Sequence, residues 1–173
     1  MPAAQDQTPY FRYCPRCGSG LETRVLKAGD IPRRVCTDCG FVFYLDPKLA
    51  VGTIIGDEAG RVLLIQRAIE PGYGKWVFPG GFVERGEEVT EAARREAREE
   101  SGFEVRLDRL VGVYSYTGRV PVVLVYAAMP TSGTLDWRDE GLDGRFVDPA
   151  DIPWPDLAFL STAEALRDYL KRS

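Results

Sequence analysis

Residues 80–103 read Gly80-Gly-Phe-Val-Glu-Arg-Gly-Glu-Glu-Val-Thr-Glu-Ala-Ala-Arg-Arg-Glu-Ala-Arg-Glu-Glu-Ser-Gly-Phe103, a glycine-rich turn running into a short, carboxylate-laden helix. At about 100° per residue, a helix over 89–101 puts Val89, Ala92, Ala93 and Ala97 on one narrow stripe. Glu96 and Glu100 fall inside that stripe and Glu99 at its edge, while Arg94, Arg95 and Arg98 project from the other side. A salt-laced surface helix would leave its acids among its arginines. Here two acids point inward.

Carboxylates at i, i+3 and i+4 are helix neighbours, and crowding them at a partly desolvated face is unfavourable unless protons or cations compensate. Oxygen-only ligands suit a hard ion, Mg²⁺ or Mn²⁺, and the intervening alanines leave room for an ion and for substrate phosphates. The rival reading is a solvated acidic face, against which the stripe geometry argues.

The chain has 173 residues, four cysteines, no histidine and a formal charge of −4, which suits one moderate domain with a small appendage. Without histidine, base work falls to carboxylates, tyrosines or activated water, and any metal site is all-thiolate or all-oxygen. No stretch approaches the ~18 apolar residues of a membrane span, and residues 1–10 lack the apolar centre of a signal peptide. The expectation is a cytoplasmic protein without membrane contact. An acidic chain is a poor general binder of nucleic-acid backbone. A small nucleotide is the expected partner, and a homodimer is left open.

Cys14-Pro-Arg-Cys17-Gly and Cys36-Thr-Asp-Cys39-Gly form two Cys-x₂-Cys pairs eighteen residues apart, a spacing that reads as a zinc ribbon. Two disulfides are the alternative, but nothing suggests secretion and cytosolic thiols stay reduced. Over residues 11–40, Arg12, Arg16, Arg24, Lys27, Arg33 and Arg34 against Glu22, Asp30 and Asp38 give +3, reduced to +1 by four thiolates around Zn²⁺. So small a charge is weak support for nucleic-acid contact, and a structural clip for ~30 residues is the favoured role.

Taken in order, residues 1–11 read as a disordered leader, 12–46 as the ribbon and 47–173 as the main domain. Val51 to Ile55 and Val62 to Ile65, around the Asp57-Glu58-Ala59-Gly60 turn, read as a hairpin with buried strands. The aromatic-loaded loop over 69–79, with Trp76 and Phe78, is either packing or a nucleotide-contacting wall. Gly102 fits a left-handed helix stop. Leu110 to Tyr116 and Val122 to Ala128 read as strands, Thr131 to Gly144 as a polar loop, and Ser161-Thr-Ala-Glu164 as a capping box opening a last helix. Strands and few helices in mixed order indicate an α/β fold.

Gly81, five residues, Glu87, seven residues, then Arg95-Glu96-Ala97-Arg98-Glu99-Glu100-Ser101-Gly102 resembles the Nudix hydrolase signature with every fixed position filled. The resemblance implies an α/β/α sandwich with a mixed sheet and a hydrolase of nucleoside diphosphate derivatives using Mg²⁺ or Mn²⁺. By it, Glu96, Glu99 and Glu100 match the metal ligands, Glu87 a supporting acid and Arg95 the arginine that orients it. Gly80 and Gly81 would approach substrate, and Trp76, Phe78 and Tyr114 are the candidate stacking rings. The ribbon, the Tyr44 to Val51 linker, the approach to Gly81 and the Ile152 to Phe159 tail resemble the zinc-ribbon subgroup that includes ADP-ribose and FAD diphosphatases. NADH pyrophosphatases also carry a ribbon, but where they have Ser-Gln-Pro-Trp-Pro-Phe-Pro this chain has Val113-Tyr-Ser-Tyr-Thr-Gly-Arg119. The family's further acid before the penultimate strand matches Glu140 best, with Asp139 and Asp143 as rivals. Glu99, Glu100 or Glu140 would take the proton of the attacking water. The expectation is a diphosphatase of ADP-ribose, FAD or a similar compound, releasing AMP. A nucleotide-sanitising triphosphate pyrophosphohydrolase, an NADH pyrophosphatase and a nucleotide-sensing regulator are the alternatives.

Overall fold

The computed structural model describes residues 11–137 and 141–171. They divide into two compact units between Pro47 and Lys48. The first is an antiparallel three-stranded sheet of β1 (Leu21–Arg24), β2 (Arg33–Cys36) and β3 (Val42–Phe43), with Leu21 opposite Cys36 and Arg34 opposite Phe43. Its interior is only Cys14, Leu21 and Cys36, flanked by Phe41 and Phe43. So small an apolar core does not hold ~35 residues together without a further tie.

The second unit carries β4 (Lys48–Ile55), β5 (Val62–Arg67), β6 (Trp76–Val77), α1 (Val89–Ser101), β7 (Phe103–Tyr114), β8 (Pro121–Gly133), β9 (Gly141–Val147) and α2 (Leu160–Leu170). The strands form two sheets, ordered β4-β8-β7 and β6-β5-β9. In the first, β4 runs parallel and β7 antiparallel to β8, so it is mixed. Residues 51–56 and 62–65 are buried almost without a break, the mark of strands covered on both faces. The pleat sends neighbouring residues opposite ways. Ile54, Val62, Leu64 and Ala127 join one core with Ala165 and Leu166 of α2. Ile55, Leu63 and Ala128 join another with Ala97 of α1. The strands therefore lie between the two helices, the α/β/α sandwich of the Nudix fold.

Several local expectations are corrected. The two apolar runs at 51–55 and 62–65 belong to different sheets, bridged only by Gly56 and Val62, because β4 finds its partner in β8 and β5 in β9. Strands β7 and β8 are longer than expected, and β8 and β9 take up much of the supposed polar loop. The capping box does not form. The α2 helix begins at Leu160 with Phe159 as its N-cap and no side-chain cap bond, and Glu164 instead accepts a 2.7 Å hydrogen bond from the Tyr116 hydroxyl. No helix among the described residues is long and apolar enough to cross a membrane.

Candidate active site and thiol cluster

The turn at 79–83 is stitched along β4 by three backbone bonds: Val51 N–H to the Gly81 carbonyl at 2.9 Å, Thr53 N–H to Pro79 at 2.8 Å and Val83 N–H to Leu49 at 3.0 Å. That pairing presses the two glycines between β4 and α1. A Cβ on Gly80 would lie 2.3 Å from the Val51 carbonyl oxygen, and one on Gly81 would lie 2.5 Å from both Glu96 carboxylate oxygens. Only glycine lets the backbone come this close. On the helix side, Ala92, Ala93 and Ala97 are wholly buried, and the buried Thr53 hydroxyl donates to the Ala93 carbonyl at 3.1 Å. Small side chains thus bring α1 against the strand. Gly102, in the left-handed region at φ 74°, ends the helix with its N–H on the Arg98 carbonyl.

The acids occupy the positions the stripe assigns, but Arg95, expected to project from the other side, turns back onto Glu96 and Glu99. Glu96 is 13 % exposed at its side chain and Glu99 54 %, while Glu100 is half-buried. Glu100 accepts the Gly80 N–H at 2.8 Å. Arg95 ties the rest together. Its guanidinium grips Glu87 with two bonds of 2.8 and 3.0 Å, reaches Glu96 at 2.8 Å and Glu99 at 3.1 Å, and donates to the Phe82 carbonyl at 3.1 Å. The bidentate bond from Arg95, helped by the Glu84 N–H, pulls the Glu87 carboxyl down to about 2, and the same contacts raise the guanidinium. Three carboxylates, Glu87, Glu96 and Glu99, share the one Arg95 guanidinium. The surplus is hard anionic oxygen, a donor set that fits Mg²⁺ or Mn²⁺ and repels itself without a cation.

The three aromatic candidates lie elsewhere. Trp76, Phe78 and Tyr114 are 7, 4 and 7 % exposed and belong to the main core. Phe78 lies over Gly52, where a Cβ would meet its ring at 2.3 Å, and the Tyr114 hydroxyl donates to Asp168 at 3.2 Å. Rings held this way offer a base no free face. Glu140 and Asp139 lie outside the described residues. Asp143, in β9, accepts the N–H of Gly144 at 2.8 Å. Beside Glu100 there is instead a cleft lined by Ile65, Arg67, Val77 and Trp137. The sequence reading passed over Trp137 as part of a polar loop. Its signal was a lone tryptophan shortly before the glycines at 141 and 144.

In the first unit the four thiol sulfurs all lie within 4.8 Å of one another. Cys14 and Cys39 are 3.7 Å apart, Cys17 and Cys36 3.4 Å, and Cys17 and Cys39 3.5 Å. Sulfurs at 2.3 Å from a tetrahedral zinc would be about 3.8 Å apart, so the cluster fits that ion. Backbone N–H groups of Arg16, Asp38 and Cys39 point at the sulfurs from 3.4 Å. The Ser19 N–H draws the Cys17 thiol down to about 6. The Phe41 N–H favours the Cys39 thiolate too, but the neighbouring sulfurs outweigh it and push Cys39 up to about 12.

Residues 46–169 match the NUDIX domain family, and residues 12–45 match the Nudix N-terminal zinc-ribbon family. The chain belongs to the Nudix hydrolases and is an enzyme of that class with a zinc-ribbon domain ahead of its catalytic domain. It is 32 % identical over 158 residues to an ADP-ribose pyrophosphatase of Methanocaldococcus jannaschii, spanning 89 % of this chain and 87 % of that one. A crystal structure of a NUDIX hydrolase from Nitrosomonas europaea superposes with a TM-score of 0.87 at 32 % identity, covering 94 % and 92 % of the two chains. A MutT NUDIX hydrolase from Burkholderia pseudomallei superposes at 0.62 with 31 % identity over 72 % of this chain and 98 % of its own.

Proposed function

We propose that the enzyme hydrolyses the diphosphate of a nucleoside diphosphate derivative such as ADP-ribose or FAD, releasing AMP. The observation that carries the substrate reading is the likeness, over both domains, to a protein named as an ADP-ribose pyrophosphatase. The carboxylate nest supplies the chemistry.

Glu96, Glu99 and Glu100 would hold the divalent ion, Mg²⁺ or Mn²⁺. When bound, that ion supplies Lewis-acid charge that offsets the negative charge of the diphosphate. The chain's own residues do the rest. The Gly80–Gly81 backbone, with no Cβ in the way, lets phosphate oxygens approach the turn. Arg95 fixes Glu96 and Glu99 against their mutual repulsion and is itself braced by Glu87. A carboxylate of the set Glu99, Glu100 and Glu140 accepts the proton as the water oxygen bonds to phosphorus. The bridging P–O bond breaks and its electron pair leaves with the other phosphate. The four cysteines take a structural Zn²⁺ that ties the first unit together. Cytoplasmic action on a small nucleotide, without membrane or strong nucleic-acid contact, completes the reading.

Product analysis tests it: ADP-ribose with Mg²⁺ should yield AMP and ribose 5-phosphate in equal amounts, and FAD should yield AMP and FMN. Likeness to a Danio rerio protein named as an 8-oxo-dGDP phosphatase, 34 % identical over 57 % of this chain, supports the sanitising alternative. Inorganic pyrophosphate released from triphosphates, with ADP-ribose untouched, would establish that reading instead.

A further inference from the structure

We infer that the outward pair of ribbon thiols, Cys17 and Cys39, is an oxidative modification site at which a peroxide exchanges the zinc tie for a disulfide. The inference rests on the structural-zinc reading above and goes beyond it by giving two of the four ligands a second chemistry. The four cysteines are not equivalent. Cys14 and Cys36 are 3 and 1 % exposed and form the small apolar core with Leu21, against which Phe41 and Phe43 pack. Backbone bonds hold both in place: the Cys14 N–H donates to the Ser19 carbonyl at 2.7 Å and the Cys36 N–H to the Phe41 carbonyl at 2.9 Å, and Cys36 lies in β2 opposite Leu21. Cys17 and Cys39, the second cysteine of each pair, are exposed, and their sulfurs stand 3.5 Å apart. An oxidant meets no other exposed thiol on this chain, since residues 48–173 contain no cysteine.

The thiolate, not the thiol, attacks a peroxide, and a cysteine that ligates zinc is held as thiolate. Solvent access then decides which sulfur reacts. The sulfur of Cys17 or Cys39 attacks one oxygen of hydrogen peroxide, the O–O bond breaks and hydroxide leaves, giving a sulfenic acid. The other outward thiolate attacks that sulfur, the S–O bond breaks, and a second hydroxide leaves as the S–S bond forms. The two thiolates lose two electrons, the peroxide gains them, and two protons from solvent complete two waters. Distance alone does not choose the second sulfur, because Cys17 is 3.4 Å from Cys36 and 3.5 Å from Cys39. Freedom to turn does. The Cys36 sulfur accepts the N–H groups of Asp38 and Cys39 at 3.4 Å and sits in the core, whereas Cys39 ends its pair at the surface. The oxidised ribbon offers two thiols where a tetrahedral zinc takes four ligands, so it no longer holds the ion. The new bond joins the Cys14–Cys17 turn to the Cys36–Cys39 turn, the same two segments that the metal links, and leaves the small unit a covalent tie. Transient disulfides with a sensing role are the kind that a reducing compartment permits.

The test measures the zinc content of the full chain, treats it with hydrogen peroxide at neutral pH, follows zinc release with a chromogenic chelator and maps disulfides by peptide mass spectrometry after free thiols are blocked. The expected result is release of the bound zinc together with a Cys17–Cys39 disulfide, Cys14 and Cys36 recovered as free thiols, and renewed zinc uptake after reduction with dithiothreitol. In the untreated, zinc-loaded protein, iodoacetamide should label Cys17 and Cys39 faster than Cys14 and Cys36 by on the order of tenfold or more. A disulfide that engages Cys14 or Cys36, or equal labelling of all four thiols, would overturn the assignment. Zinc that stays bound through an excess of peroxide would sink this inference and leave the zinc reading standing. Purified protein that carries no zinc would sink both.

Discussion

The α-carbon of Gly81 stands against the carboxylate of Glu96, with a Cβ there placed 2.5 Å from both of its oxygens. Gly81 is not among the glycines with positive φ, so alanine meets no backbone strain, and its whole effect falls on Glu96. Moving a catalytic group by about 1 Å can cost on the order of 100-fold. Gly81→Ala should therefore lose about that factor in kcat with ADP-ribose while melting within a few degrees of wild type. Near-normal turnover would mean that the placement of Glu96 is not critical.

On the proposed reading, Glu99→Gln and Glu100→Gln would each remove a charged ligand of the divalent ion. Each should lower kcat/KM at least ~100-fold, equivalent to about 2.7 kcal/mol of transition-state stabilisation. Thermal stability without divalent ions should hold or rise, since a repulsive charge is gone. A variant retaining near-wild-type rates in Mg²⁺ would remove that residue from the site.

What the sequence made legible was local. The periodicity of residues 89–101 placed Glu96 and Glu100 inward and Glu99 at the edge, and α1 spans those residues, because helix phase depends only on neighbours a turn away. The hairpin reading of 51–65 failed because strand pairing is decided by distant partners: β4 by β8 some seventy residues on, β5 by β9 further still. The aromatics misled for a related reason. Composition marks Trp76, Phe78 and Tyr114 as ring-bearing, but only the tertiary fold says which rings are spent filling the core and which, like Trp137, line a cleft.

Acid should expose the Arg95–Glu87 pair. The folded protein holds Glu87 down at about 2 against an ordinary value of 4.5, chiefly through its hydrogen bonds to Arg95. Its contribution to stability is therefore full above pH 4.5 and is lost as the pH falls toward 2. In urea titrations without metal, Glu87→Gln should have a lower midpoint than wild type at pH 7, and the gap should close progressively between pH 4.5 and 2. A gap of constant size across that range would show that the carboxylate's charge contributes nothing.

Protein purified without added metal should carry one Zn²⁺ per chain by elemental analysis. Chelation should abolish amide-exchange protection in β1 to β3 while β4 to β9 keep theirs, since the first unit has so little core beyond its cysteines. Four reactive thiols with no zinc in the folded protein would contradict the assignment.

The most direct test of the central claim is a comparison of kcat/KM in Mg²⁺ and Mn²⁺ across ADP-ribose, FAD, NADH, dinucleoside polyphosphates and nucleoside triphosphates. ADP-ribose or FAD should give the highest value. Triphosphates cleaved ~100-fold more efficiently than both, about 2.7 kcal/mol in their favour, would contradict the account and identify a nucleotide-sanitising enzyme.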